Sequence, residues 1–177
     1  MKVLVIVDVQ NDFCPGGALP VPEGDKVVPV INNLMEEFDI VIASKDWHPQ
    51  KTAHFADWPS HCVRETEGAQ LHPELNSEKI ERIFHKGTGG KDDGYSAFEA
   101  DEDLDSFLRE NSVDELYITG LATEYCVKNT ALDGVERNYD VYLIREAVAG
   151  IKEKDIQKSL NEMKEKGVKI ISADEVV

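Results

Sequence analysis

One cysteine stands where a predicted strand passes into a predicted helix. Cys126 ends the segment 117–126, which runs from an apolar stretch through Gly120 toward a helix. Thr123 is of a type that caps helices and Glu124 is of a type that favours the first turn, so Cys126 is expected at about the third helical position. The dipole and free amides there favour a thiolate. Cys126 is therefore a candidate nucleophile, with a buried, inert thiol as the alternative.

A cysteine nucleophile needs a proton acceptor and a group that stabilises its charge. No histidine lies within the Cys126 turn, and the candidates are Asp8 and Lys86, each of which follows an apolar run. Partial burial of Asp8 would raise its affinity for a proton. A turn role for Asp8 and a solvated position for Lys86 are the alternatives, and spacing does not choose between them.

A second group of residues has the types and spacing of metal ligands. Asp46 and His48 lie two apart, so in an extended segment they face the same side. His61 follows across a loop and can complete the group. One carboxylate with two imidazoles suits zinc, iron or manganese and leaves positions open. Cys62 is a competing ligand, although we interpret it as buried and inert. Ordinary surface histidines remain the alternative.

Aromatic residues are concentrated in the loops near these groups. They are Phe13, Trp47, Trp58 and Tyr95. A flat aromatic substrate would use such side chains as walls. Ordinary loop packing is the alternative interpretation.

Six short apolar runs rich in valine and isoleucine must position these residues. Continuous apolar runs predict strands covered on both faces. The runs are 3–7, 40–43, 80–84, 116–119, 141–144 and 168–171. The run 80–84 carries charge in its middle and is expected to be less buried, at an edge of the sheet.

Amphipathic segments with helical periodicity alternate with the apolar runs. They are 27–38, 104–111, 123–138 and 154–166. Strand–helix alternation predicts right-handed βαβ units. We therefore expect an α/β fold: a three-layer, doubly wound, mostly parallel six-stranded sheet with helices on both faces. The chain 1–177 is expected to form one domain.

This fold would bring the reactive residues together. Ligands bind beyond the carboxyl ends of the strands in open α/β sheets. Asp8 follows the first apolar run, Asp46 and His48 follow the second, Lys86 follows the third, and the fourth leads to Cys126. Four strand ends are thus predicted to converge on one rim, which is the strongest functional signal in the sequence.

Charge and composition exclude several classes of partner. The formal net charge is −16 over 177 residues, which disfavours binding to nucleic acid or to an anionic membrane. No apolar stretch reaches the ~18 residues of a membrane span. The first run begins too early for a signal peptide, and three cysteines make no disulfide framework. A cytoplasmic protein is expected, while its oligomeric state, a homo-oligomer included, stays open.

The assembled motifs resemble those of the isochorismatase-like cysteine hydrolases, and among them the members that hydrolyse nicotinamide. The resemblance covers residues 3 to about 171. Its motifs, in order, are VDVQNDF at 7–13, DWHP at 46–49, WPSHCV at 58–63, HKGT at 85–88, YSAF at 95–98 and GLATEYCV at 120–127. The stretch 88–94 is shorter and richer in glycine than in some members, so pocket access is expected to differ.

The resemblance implies catalytic roles for three side chains and two amides. Asp8, Lys86 and Cys126 would form the catalytic triad. The backbone amides of Ala122 and Cys126 would form the oxyanion hole, and the peptide bond between Leu121 and Ala122 is expected to be cis.

The resemblance also implies a metal centre and a substrate pocket. Asp46, His48 and His61 would bind one divalent cation, zinc or iron first and manganese also suited. His54 matches a histidine that ligates the metal in only some members. The pocket aromatics would be Phe13, Trp58 and Tyr95.

The activity implied is hydrolysis of the small molecule nicotinamide to nicotinate and ammonia in NAD salvage, with pyrazinamide commonly accepted as well. Another amidohydrolase of the family, acting on an N-carbamoyl amide or on ureidoacrylate, is one alternative. Such members typically lack the metal ligands. An oxygenase with a two-histidine, one-carboxylate iron site is the alternative from another class. A metal-binding module without catalysis would leave Asp8, Lys86 and Cys126 unexplained.

Overall fold

The computed structural model describes residues 1–176, over which the chain forms six strands and four α-helices joined by short 3₁₀ turns and loops. The strands are β1 (Lys2–Val7), β2 (Ile40–Asp46), β3 (Arg82–Lys86), β4 (Glu115–Leu121), β5 (Asp140–Ala149) and β6 (Lys169–Ile171). The helices are α1 (Val27–Leu34), α2 (Leu104–Glu110), α3 (Lys128–Glu136) and α4 (Glu153–Glu165).

The strands form one sheet in the order β3-β2-β1-β4-β5-β6, and every pairing between neighbours is parallel. The predicted α/β fold is thus confirmed, with a sheet that is parallel throughout. β3 lies at an edge of the sheet and is partly exposed, as the charged residues within the run 80–84 predicted. The strand order reverses between β1 and β4, and such a reversal opens a crevice at the carboxyl ends of those strands.

The two faces of the sheet pack against different helices, because successive side chains of a strand alternate in direction. On one face Val3 and Val5 pack with the apolar residues of α2, α3 and α4. On the other face Leu4 and Ile6 pack with the apolar stripe of α1. Burial on both faces explains why the strands read as continuous apolar runs.

Four strands continue past the ends of the apolar runs that predicted them, among them β4, which continues to Leu121. β2 continues to Asp46 and β5 continues to Ala149. β3 is Arg82–Lys86, two residues later than the run 80–84, so Lys86 ends the strand instead of following it. The reason is that Lys86 pairs with Asp46 in the β2–β3 ladder. Polar residues that are buried at a functional rim are invisible to a pattern of apolar residues.

The predicted helix 123–138 begins differently from the prediction. Its first part is a π-helical turn, Thr123–Val127, and α3 follows. The N-cap is Ala122, and Thr123 is a buried residue inside the turn that makes no capping hydrogen bond through its side chain. The capping role predicted for Thr123 was therefore wrong. The predicted helix 27–38 is α1 followed by a 3₁₀ turn, Met35–Glu37.

Among residues 1–176, no helix combines the length and the apolar character needed to cross a membrane.

Gly120 lets β4 run close to β1 at the centre of the sheet. Its φ is +106°, and a Cβ there would lie 2.0 Å from the carbonyl oxygen of Val7. We expect Gly120→Ala to lower the free energy of unfolding by about 2–5 kcal/mol, since it adds both backbone strain and overpacking. Gly89→Ala is the control, because a Cβ there meets nothing within 4 Å. Urea denaturation of both variants checks this, and equal losses would contradict it.

Candidate active site

The three residues expected to form a triad meet at the carboxyl ends of β1, β3 and β4. The ammonium Nζ of Lys86 lies 2.7 Å from Oδ2 of Asp8 and 3.3 Å from Sγ of Cys126. Asp8 and Lys86 are fully buried, and Cys126 is 8% exposed. The structure thus brings together the acid, the cation and the thiol whose spacing in the sequence left their relation open.

Burial dominates the electrostatics of this group. It raises the pKa of the Cys126 thiol well above its ordinary value, although Lys86 acts in the opposite direction. This effect of burial opposes the influence expected of the helix N-terminus, which favours a thiolate at Cys126. Burial also raises the pKa of Asp8, with Lys86 again opposing. A protonated thiol beside a carboxylate of raised proton affinity suits transfer of the thiol proton to Asp8.

Ser44 orients the carboxylate of Asp8. Its hydroxyl donates a hydrogen bond to Oδ1 of Asp8 at 2.7 Å, which leaves Oδ2 for Lys86. The backbone of Asp8 has φ +49°, and its N–H donates to the carbonyl of Ser44. Sequence reasoning missed Ser44. The signal that finds Ser44 is its position opposite Val7 in the β1–β2 ladder, and this position is known only once the register of the strands is known.

Lys86 also joins the triad to the neighbouring histidines. Its ammonium donates to Oδ1 of Asp46 and to the carbonyl of Gly94 at 2.8 Å. Burial by itself would lower the pKa of Lys86, but Asp46 and Asp8 outweigh this effect and raise it well above its ordinary value. Lys86 is therefore a permanent ammonium between two carboxylates.

Three buried histidines surround one point beside Asp46. One ring nitrogen from each of His48, His54 and His61 lies within 4.8 Å of the other two. Oδ2 of Asp46 lies 3.4 Å from Nε2 of His48 and 3.8 Å from Nε2 of His61. Burial raises the pKa of Asp46, but Lys86 together with His48 and His61 outweighs this effect, so that pKa lies well below its usual range. Asp46 is thus an anion facing the histidines.

The hydrogen bonds of the histidines decide which nitrogen faces this point. Nδ1 of His48 contacts the carbonyl of Gly87 at 2.9 Å, and Nδ1 of His61 contacts that of Pro59 at 2.7 Å. A carbonyl only accepts, so each Nδ1 carries the proton and each Nε2 presents a lone pair. Nε2 of His48 is buried and has no hydrogen-bond partner within residues 1–176. A divalent cation fits this donor set.

Cys62, which follows His61 in the sequence, is not part of this donor set. It is fully buried, and burial raises the pKa of its thiol well above the ordinary value. Its carbonyl accepts a hydrogen bond from the N–H of His48 at 2.9 Å, which joins the segments that carry His48 and His61. This agrees with the interpretation of Cys62 as buried and inert.

A pocket lies between the histidines and Cys126. Its lining includes the three aromatic residues predicted to bind substrate, Phe13, Trp58 and Tyr95. The indole N–H of Trp58 donates to the hydroxyl of Tyr95 at 3.1 Å. Trp47 lies elsewhere, since its ring packs against Lys45. Sequence reasoning missed further lining residues, among them Leu19, Val21, Asp93, Tyr125 and Ile151.

The backbone before Cys126 has the conformation implied by the resemblance. The peptide bond between Leu121 and Ala122 is cis, as predicted. Ala122 and Cys126 both line the pocket. The role of their amides as an oxyanion hole stays a prediction.

A buried thiol with a proton acceptor and a fixed ammonium, opening into a small aromatic pocket, is the arrangement of a cysteine hydrolase. The family model of the Isochorismatase domain matches residues 2–175. The chain therefore belongs to the isochorismatase family.

Individual relatives share this similarity over nearly their whole length. The nicotinamidase of Escherichia coli is 43% identical over 178 residues, covering 85% of this chain and 84% of the relative. The pyrazinamidase of Pyrococcus horikoshii, in complex with zinc, is 44% identical with a TM-score of 0.89, covering 97% and 98%. PnC1 from L. infantum, in complex with nicotinate, is 31% identical with a TM-score of 0.93, covering 98% and 93%.

Removing one imidazole tests the cation site. We expect His61→Ala to weaken zinc binding by more than the roughly 10–100-fold that loss of an outer-shell partner costs. His72→Ala is the matched control, because His72 lies outside the histidine group and its Nδ1 accepts from the N–H of Glu74. Zinc content after dialysis, measured by atomic absorption, checks the prediction. An unchanged zinc content in His61→Ala would refute His61 as a ligand.

Proposed function

We propose that this chain is an amidohydrolase that converts nicotinamide to nicotinate and ammonia, the reaction that returns nicotinamide to NAD salvage. The observation that carries the proposal is the joint placement of Cys126, Asp8 and Lys86, with Cys126 lining an aromatic pocket that the three histidines also line. The similarity to nicotinamidases and to a nicotinate complex supports the same substrate. Pyrazinamide, a ring of the same shape, is expected to be a second substrate.

The first half of the reaction forms a thioester. Asp8 accepts the proton of Cys126, and the sulfur attacks the carboxamide carbon. The amides of Ala122 and Cys126 stabilise the oxyanion, at about 2.7–4 kcal/mol for each donor in comparable sites. The carbon–nitrogen bond breaks, and Asp8 returns its proton to the departing amine so that ammonia leaves. Lys86 holds Asp8 and the sulfur in place throughout.

The second half of the reaction regenerates the thiol. Asp8, again a carboxylate, accepts a proton from water as the water oxygen attacks the thioester carbon. The carbon–sulfur bond then breaks, the proton held by Asp8 returns to the sulfur of Cys126, and the nicotinic acid that forms releases its own proton to solvent as nicotinate. The buried position of Asp8 and Cys126 keeps bulk water away from both proton transfers.

Asp46, His48, His54 and His61 are proposed to hold one divalent cation beside the pocket, zinc or iron, with manganese also suited. When bound, the cation supplies a Lewis-acid site that holds the pyridine nitrogen and orients the ring. The zinc complex of the Pyrococcus horikoshii relative favours zinc. Phe13 contributes a wall against His61, with ring centroids 5.4 Å apart.

Two alternatives from the sequence fit the site less well. Hydrolases of N-carbamoyl amides or ureidoacrylate share the triad but would leave the donor set around His48 without a use. An iron oxygenase would use that donor set, but its ligands usually lie on antiparallel barrels, whereas all strand pairings here are parallel.

Ammonia release by the metal-replete protein tests the proposal. Nicotinamide and pyrazinamide should both be hydrolysed, whereas benzamide, which has the same shape without a ring nitrogen, should be hydrolysed much more slowly. Equal rates for nicotinamide and benzamide would overturn the proposed role of the cation. Turnover of an N-carbamoyl amide without turnover of nicotinamide would overturn the proposed substrate.

A further inference from the structure

A carboxylate outside the predicted site contacts both the histidine group and the pocket. Asp92 lies in the glycine-rich loop 88–94, and its Oδ1 is 2.7 Å from Nδ1 of His54. The same oxygen accepts a hydrogen bond from the hydroxyl of Tyr95 at 3.1 Å. That hydroxyl in turn accepts from the indole of Trp58. One oxygen of Asp92 thus holds a histidine and, through Tyr95, two pocket walls.

We propose that Asp92 is a positioning residue that makes His54 a ligand of the cation and keeps it aligned with the substrate pocket. The inference rests on the proposed cation site. A carboxylate only accepts hydrogen bonds, so Nδ1 of His54 carries the proton and its Nε2 presents a lone pair. His54 therefore has the same tautomer as His48, on which its ring stacks at 4.7 Å between centroids.

The partner of His54 differs in kind from those of the other two histidines. His48 and His61 donate to backbone carbonyls, of Gly87 and Pro59. His54 donates to a side-chain carboxylate from a loop 38 residues away in sequence. A carboxylate behind a ligating imidazole fixes its orientation and strengthens it as a donor to the metal. His54 thus depends on loop 88–94 in a way that the other two do not.

The backbone holds Asp92 in the position that this role needs. The N–H of Ala53 donates to the carbonyl of Gly90 at 3.0 Å, and the hydroxyl of Thr52 donates to that of Lys91 at 3.3 Å. Residues 52–54 therefore contact residues 90–92. The far end of the loop is held as well, because the carbonyl of Gly94 accepts from the ammonium of Lys86.

Zinc affinity measured on the metal-stripped protein by chelator competition tests the inference. Asp92→Ala should weaken zinc binding by roughly 10–100-fold, the usual effect of removing an outer-shell partner. Asp92→Asn keeps an acceptor oxygen and should fall between Asp92→Ala and the wild type. Asp57→Ala is the matched control, since it removes one exposed carboxylate three residues after His54. It should bind zinc as the wild type does.

A double-mutant cycle separates action through His54 from a general effect of charge. If Asp92 acts through His54, the His54→Ala, Asp92→Ala double variant should bind zinc no more weakly than His54→Ala does. The His54→Ala and Asp92→Ala single variants, each loaded with cobalt, should then show the same visible absorption spectrum. Additive losses, or a zinc affinity of Asp92→Ala equal to that of Asp57→Ala, would overturn the inference.

Kinetics adds a readout for the pocket. Because Tyr95 loses its acceptor, Asp92→Ala at saturating zinc should raise the KM for nicotinamide more than it lowers kcat. A wild type that binds no zinc would overturn both this inference and the proposed cation site. A wild type that binds zinc and hydrolyses nicotinamide, with Asp92→Ala unchanged in both, would overturn the role of Asp92 alone.

Discussion

Replacing Cys126 by alanine is expected to lower kcat for nicotinamide hydrolysis by roughly four to six orders of magnitude, as loss of a nucleophile does in comparable hydrolases. No other thiol lies beside Asp8 and Lys86 within residues 1–176, since Cys14 and Cys62 are buried elsewhere. The fold should survive, because alanine leaves the ion pair between Lys86 and Asp8 intact. Ammonia release at saturating nicotinamide gives the rate, and a thermal melt checks folding.

Two controls sharpen the test of Cys126. Cys14→Ala removes another buried cysteine and should keep most of the activity. Iodoacetamide should inactivate the wild type and the Cys14→Ala variant, with nicotinate protecting both. A Cys126→Ala protein that still turns over nicotinamide at the wild-type rate would refute the nucleophile, and with it the thioester route.

Asp8→Asn is expected to lower kcat by about 10⁴-fold while leaving zinc bound, as amide substitution of an essential carboxylate does elsewhere. Asparagine keeps the shape of the side chain and still accepts the hydrogen bond from Ser44, but it cannot take the proton of Cys126. Burial raises the pKa of the Cys126 thiol, so attack by the sulfur requires an acceptor for that proton. Steady-state kinetics and zinc content on one preparation measure both effects.

Comparing the activity and the zinc content of two variants is more informative than either measurement on one variant. Asp8→Asn should lose activity and keep zinc, whereas His61→Ala should lose zinc. Asp46 remains paired with Lys86 in Asp8→Asn, which is why the cation site should persist. Loss of zinc in Asp8→Asn would show that the triad and the cation site are one unit. Retained activity would exclude Asp8 as the proton acceptor.

Local sequence by itself determined the architecture and most of the site membership. The continuous apolar runs around Val5, Ile42 and Ile118 predicted buried parallel strands, because residues covered on both faces leave no polar alternation. Once the strands are parallel, Asp8 and Asp46 must emerge at the same edge. The short motifs and their order along the chain indicated the family. These features depend on near neighbours along the chain, which a sequence displays directly.

Tertiary structure decided how those residues act on one another. Lys86 contacts Asp8, Asp46 and Cys126, all of them at least 40 residues away in sequence, so no spacing rule predicts its place between them. The same holds for Asp92 on His54, across 38 residues. Burial by the whole fold also raises the pKa of Cys126, in the direction opposite to the local expectation that the helix N-terminus favours a thiolate. Burial and long-range contacts exist only after folding.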